Sequence, residues 1–135
     1  MYQINSTHYG YRITLSGFIQ PPEMQNWVNE SEELLKKSPE NFHVFVDMRS
    51  LKTLPKESQL LMEEGQKMYK TSGMVRSVVI VDNAITQMQF RRIAAKSGID
   101  RWERYIDSSS VTNWEEAATG WLLSAVNPDV LSQRS

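Results

Sequence analysis

The sequence predicts an α/β fold in a single domain, with a mostly parallel sheet, helices packed on it and the element order ββαβαβαβα. Three observations predict this. Short apolar runs of strand character alternate with longer stretches whose apolar residues recur every three or four positions, an alternation that brings parallel strands and right-handed crossovers. One run, Val78–Val81, is apolar at four consecutive positions, the pattern of a central parallel strand covered on both faces. The chain has 135 residues, 40% hydrophobic and 23% charged, which suits one domain with a proper core.

The first strands are expected at Tyr2–Ile4 and Tyr11–Leu15. In the second, Tyr11, Ile13 and Leu15 alternate with Arg12 and Thr14, the period of a strand with one wet face. Asn5 to Gly10 is expected to form the hairpin loop, with Gly10 free to take positive φ. The first helix lies in PPEMQNWVNESEELLKKSP: proline stands in its first turn, Glu23 beside it, and Lys36 and Lys37 at the far end suit the helix dipole. Met24, Trp27, Val28, Ser31, Leu34 and Leu35 share one face, and Pro39 ends the helix.

The third strand is expected at His43–Val46, capped by Asp47 and followed by a loop. Thr53 is placed to cap the second helix, and Pro55 fits its first turn. Leu61, Met62, Gly65, Met68 and Tyr69 share a face to about Ser72, and Gly73 follows as a stop. Glycine inside a helix costs about 1 kcal/mol relative to alanine, so Gly65 is expected to give close packing on the sheet in return. After Val78–Val81, Asn83 caps a helix from Ala84 to Ser97, and Gly98 stops it. Trp102–Ile106 is the last strand. Thr112 and Glu115 form a capping box for the final helix, along which Trp114, Ala117, Ala118, Trp121, Leu122 and Ala125 step by three and four residues. The domain covers residues 1–125, and 126–135 form a loose tail.

Composition narrows the function classes. A net charge of −1 gives no global field that draws the chain to nucleic acid or a membrane surface. Acidic side chains outnumber basic ones nine to six over residues 1–64, and basic outnumber acidic nine to seven over 65–135, too small an asymmetry to name a partner. With no cysteine there is no disulfide frame, thiolate nucleophile or zinc ribbon. The N-terminus, MYQINSTHYGYR, lacks the apolar core of a signal peptide. No apolar run approaches the roughly 18 residues that span a bilayer. A cytoplasmic protein with no nucleic-acid partner and no membrane span is expected.

Three strands end alike, in VFVD at Asp47, VIVD at Asp82 and RYID at Asp107. Ligands of open α/β sheets bind at the carboxyl ends of strands, where three carboxylates could hold Mg²⁺ for phosphoryl chemistry. The plainer reading is local, since aspartate in a strand-to-helix loop accepts bonds from exposed backbone amides. No phosphate-binding glycine loop or nucleophile elbow accompanies the three. Thus no metal or cofactor is expected. His8 and His43 sit in different strands without ligand spacing. Arg91, Arg92, Lys96, Arg101 and Arg104 form a basic stretch that reads as a solvated helix face or as a contact for an acidic partner. Trp27, Trp114 and Trp121 fall on apolar helix stripes, where core packing is the usual outcome.

The strand HVFVD with its following loop and helix, the strand SVVIVD and the ending NWEEAATGWL together resemble the STAS domain of anti-sigma-factor antagonists and the related CRAL-TRIO-type fold. More closely, the chain resembles the small stand-alone bacterial proteins called SpoIIAA-like, over roughly residues 1–123. The resemblance implies a STAS/SpoIIAA-like fold and a non-catalytic regulatory or protein-interaction role. In STAS antagonists an Asp-Ser-Ser-Gly motif opens the second helix, and a serine in it is phosphorylated by a partner kinase. Counted from Asp47, that motif falls at Pro55-Lys56-Glu57-Ser58 and is absent, Ser58 being the nearest hydroxyl. Asp107-Ser108-Ser109-Ser110 follows the last strand instead.

The expected role is therefore a regulatory or interaction module without the usual phospho-switch. It has a protein partner and the capacity to form a homodimer. Asp47, Arg49, Ser50, Ser58, Asp82 and Asn83 are the candidate ligand or partner loops. Two alternatives stay open: a carrier of a small apolar or lipid-like ligand, suggested by the CRAL-TRIO-type resemblance and by seven methionines that pack adaptably, and a Mg²⁺-dependent phosphoryl-transfer enzyme using the strand-end aspartates.

Overall fold

In the computed structural model, which describes residues 1–129, five strands and four helices follow in the order ββαβαβαβα. The strands are β1 (Tyr2–Thr7), β2 (Gly10–Gly17), β3 (Phe42–Leu51), β4 (Met74–Val81) and β5 (Glu103–Asp107). The helices are α1 (Pro21–Leu35), α2 (Lys56–Thr71), α3 (Ala84–Ser97) and α4 (Trp114–Ser124). The sheet is mixed: its spatial order β1-β2-β3-β4-β5 matches chain order, with β1 antiparallel to β2 and the next three pairings parallel.

Right-handed crossovers between sequentially placed strands put every connecting helix on one face. Strand alternation shows this directly. Ile13, Val44, Val46, Val79 and Val81 meet α1, α2 and α3 in the larger core, whereas Phe45, Val78, Ile80 and Ile106 point the other way and meet Ala118, Trp121 and Leu122 of α4 in a smaller one. Both faces of β3 and β4 are therefore covered, which is why Val44–Val46 and Val78–Val81 run apolar at consecutive positions.

The strands extend further than local patterning suggests. β1 continues through Asn5 and Ser6, opposite Arg12 and Tyr11, so the hairpin turn is only His8-Tyr9 and not Asn5 to Gly10. Gly10 follows that turn at φ 145°, where an added Cβ would collide with the His43 carbonyl. β3 does not stop at Asp47. After a register shift between Thr14 and Ser16, Ser50 and Leu51 pair with Ser16 and Gly17, and Met48 and Leu51 are buried. The aspartate expected to cap the strand thus lies within it, and the connection to α2 begins only at Lys52.

Thr53 does not cap α2. Pro55 occupies the N-cap position without a side-chain bond. The preceding loop is tied to α3 instead, where the Gln89 amide accepts from the Leu54 N–H at 3.0 Å and donates to its carbonyl at 3.1 Å. The capping box also fails to form: α4 begins at Trp114 with Asn113 at the N-cap and no side-chain bond. Ser110 and Val111 turn back onto the Asp107 carbonyl, so the chain enters α4 one residue late, with Glu115 and Glu116 in its first turn. Gly65 packs against α1 and not against the sheet, for a Cβ there would overlap the Trp27 ring. That close approach lets Trp27 stack on Tyr69, with centroids 5.8 Å apart and planes 8° off parallel.

Beyond α4 the segment expected to be loose begins with anchored residues. Val126 donates to the Gly120 carbonyl, and the Asn127 side-chain oxygen accepts from Arg104 Nε and the Asp129 N–H. Residues 130–135 lie outside the described residues. No helix among the described residues is long and apolar enough to cross a membrane.

Candidate functional site

Asp47 lies on the α4 face of the sheet among charged and hydroxyl side chains. Strand period places Arg12, Thr14 and Ser16 of β2 on that face beside Phe45, Asp47 and Arg49 of β3, with Asp47 in register with Thr14. Asp47 is 92% buried, its exposure being 8%, and a buried carboxylate needs a charged partner. It has two. Arg49 Nε donates to Oδ1 at 3.0 Å and Nη2 to Oδ2 at 2.9 Å, while the Arg49 backbone N–H adds a third bond at 3.1 Å. Arg12 Nη2 stands 3.6 Å from Oδ2. Burial by itself pushes this carboxyl up, but the Arg49 bonds and the two guanidinium charges outweigh it and hold the group below its ordinary value.

Both arginines are also braced by rings. The Arg12 guanidinium lies 4.5 Å from the Phe45 centroid and that of Arg49 4.5 Å from the Trp114 centroid, a stacking that Arg favours over Lys. Their side chains nevertheless stay 41% and 42% exposed. At the carboxyl ends of β2 to β5, Arg49, Asp47 and Asp82 join the hydroxyls of Thr14, Ser16, Ser50 and Ser108 around a polar cleft of about 460 Å³.

The structure brings four candidates together, Asp47, Arg49, Ser50 and Asp82, and sets two apart. Ser58 is on α2 with no exposed surface, donating to the Ile19 carbonyl at 2.9 Å. Asn83 caps α3, accepting from the Thr86 N–H at 2.8 Å and donating to Asp82 Oδ1 at 2.8 Å. Asp107 is spent in its own turn, where Oδ1 accepts from Ser109 Oγ and N–H. Among the described residues no three His, Cys, Asp or Glu side chains group so as to hold a metal ion. Sequence reasoning missed Arg12, Thr14, Ser16 and Ser108. The polar face of β2 carried a signal for the first two, and nothing local marked the others.

The cleft supplies hydrogen-bond donors and acceptors, and neither histidine lines it. His8 lies in the β1–β2 turn and His43 pairs with Gly10, both at the opposite end of the strands. The cavity inside the larger core is another matter. It measures about 40 Å³ and is lined mainly by apolar side chains, among them Trp27, Met48, Met62 and Met74. That is room for a few water molecules, against the roughly 300 Å³ at which ligand pockets begin.

Glu103 borders that cavity and is 95% buried, its exposure being 5%. Burial raises its carboxyl to about 7. Tyr105 OH lies 2.7 Å from Glu103 Oε2 and 2.9 Å from the Phe90 carbonyl. One phenolic proton cannot serve two acceptors, so a neutral Glu103 that donates to Tyr105 completes both bonds.

Compared with known proteins, the chain matches no family model, no curated protein and no solved structure.

Proposed function

We propose that this chain is a non-catalytic interaction module of the STAS/SpoIIAA-like type, and that it holds a partner protein at the polar cleft beside Asp47 and Arg49. The observation that carries this is the bracing of Arg49. Its guanidinium is gripped at two points by Asp47, laid on Trp114 and still two-fifths exposed. A donor held in its bound geometry before the partner arrives loses little side-chain entropy on binding. Arg12 stands on the same carboxylate, 3.6 Å from Oδ2, laid on Phe45 and also two-fifths exposed. Catalysis is a poorer fit, because the carboxylate best placed to act as a base is already bound by two guanidinium groups. A lipid carrier is a poorer fit too, since the space lined by the side chains of the larger apolar core is about 40 Å³.

The test is affinity capture from the native cell with wild-type protein and with Arg12→Ala/Arg49→Ala. One partner is expected to be recovered by wild type and lost by the double variant, whose thermal melt shows it folded. Retention of the partner by the folded variant overturns the cleft assignment, and failure of wild type to capture any protein overturns the module reading.

A further inference from the structure

The basic residues of α3 and the segment after it fall into two groups. Three arginines are spent on aromatic rings: Arg91 lies 4.9 Å from the Tyr105 centroid, Arg101 6.0 Å from that of Trp102, and Arg104 4.2 Å from that of Trp121. Arg92 and Lys96 are exposed and have no partner among the described residues. With Ile85 and Met88 they follow one another at steps of three, four and four, which keeps all four on one side of a helix. Thr86, Phe90, Ile93 and Ala94 bury the opposite side. The outer side of α3 thus carries two apolar side chains, 70% and 62% exposed, followed by two unpaired cations. From Ala84 to Ser97 there is no acidic residue.

We infer that the outer face of α3 docks an amphipathic, acidic segment of a partner protein. Charge complementarity selects this occupant. The stripe is basic on a chain of net charge −1, so it is a local feature and not a reflection of overall charge, and such a patch steers an oppositely charged partner and fixes its register. The adjacent Ile85 and Met88 supply the apolar anchors that a charged rim alone lacks. Other occupants fit less well. Two free cations are few for a nucleic-acid backbone, whose binding grows with each neutralised phosphate. Two apolar side chains are few for a membrane surface, where even a whole acyl chain binds marginally. A second copy of this chain offers its acidic α1, with Glu23, Glu30, Glu32 and Glu33. Among the described residues, however, α1 exposes no large apolar side chain to meet Ile85 and Met88.

This inference rests on the interaction-module reading, and the experiment separates the two. A photo-crosslinking residue, p-benzoylphenylalanine, replaces Met88 in one full-length variant and Ser50 of the cleft in another, each is irradiated in the native cell, and adducts are sequenced by mass spectrometry. The Met88 probe is expected to attach to one protein through a segment of net negative charge that also bears apolar residues. Adding Arg92→Gln/Lys96→Gln, which removes charge without reversing it, is expected to cut that adduct by roughly tenfold while the far-UV melt stays unchanged. Adducts to lipid, to nucleic acid, to a second copy of the chain or to a basic segment overturn the inference, as does an adduct insensitive to the double substitution. Silence at Met88 with capture at Ser50 overturns it and leaves the module reading standing. Silence at both positions overturns both.

Discussion

Replacing Trp121 by alanine removes the largest side chain of the smaller core, and the structure shows what goes with it. Trp121 is 7% exposed and packs among Phe45, Val78, Ile80, Ile106, Ala118 and Leu122. Its indole N–H donates to the Ser77 carbonyl at 2.9 Å. Arg104 and Arg76 lie 4.2 and 5.8 Å from its centroid, and Arg76 also donates twice to the Leu122 carbonyl, closing the end of α4 onto β4. Truncating a buried tryptophan costs about 3–5 kcal/mol, and the lost indole hydrogen bond lies within that figure. A domain of this size has about 5–15 kcal/mol in total. With a urea dependence near 2 kcal/mol per molar, the midpoint should fall by roughly 2 M. The assay is urea denaturation followed by far-UV circular dichroism. Trp121→Phe, which keeps a ring and loses the donor, should fall between the two. A Trp121→Ala midpoint equal to wild type would refute the reasoning, because α4 could not then be seated on β4 through this side chain.

Three further outcomes follow from particular contacts. Glu103 binds its proton more tightly folded than unfolded, its carboxyl being raised to about 7, so stability should decline as pH rises from about 4.5 to 7 and stay reduced above. Glu103→Gln should flatten that slope and melt higher than wild type at pH 8, and a lower melt at that pH would count against a neutral Glu103. Gly65→Ala gains about 1 kcal/mol of helix propensity but drives a Cβ into the Trp27 ring, so a net loss of roughly 1–2 kcal/mol is expected by denaturation, and a stabilised variant would contradict the α1–α2 packing. Ser58→Glu places a charge where the native side chain has no exposed surface. It should therefore lower the melting temperature steeply, whereas a variant as stable as wild type would restore Ser58 as a switch candidate.

Helix signals were legible at α1 and α3, whereas those expected at the starts of α2 and α4, a Thr53 cap and a Thr112–Glu115 capping box, did not form. Pro21 sets the start of α1 and the apolar spacing its buried face, while Asn83 and Gly98 bound α3 at the residues where the structure begins and ends it. The approach to α2 is held by Gln89, 35 residues on from Leu54, but where the bonds at a helix end form within one turn, as at α3, neighbouring residues carry the signal. The strand cores were legible for the same reason, since alternation at Tyr11–Leu15 and the run Val78–Val81 are patterns of adjacent positions. So was the stripe that puts Ala118, Trp121 and Leu122 in the smaller core.

Strand ends and the cleft were settled by residues distant in the chain. Asn5 and Ser6, poor strand formers, are drawn into β1 by Arg12 and Tyr11 across the ladder, and β3 runs past Asp47 because β2 continues beside it. Gly65 looked like a residue for the sheet, but its neighbour is Trp27, 38 positions earlier. Asp47 read as the end of a strand, and only pairing with Arg49 and Arg12 lets a carboxylate lie buried within one. The cleft gathers Thr14, Ser50, Asp82 and Ser108 from four segments. The sequence alone thus determined which stretches are helix and strand and which side chains face inward. Tertiary structure decided how far each strand runs and which polar groups meet at its end, because hydrogen-bond ladders and ion pairs between remote segments leave no periodic trace in the chain.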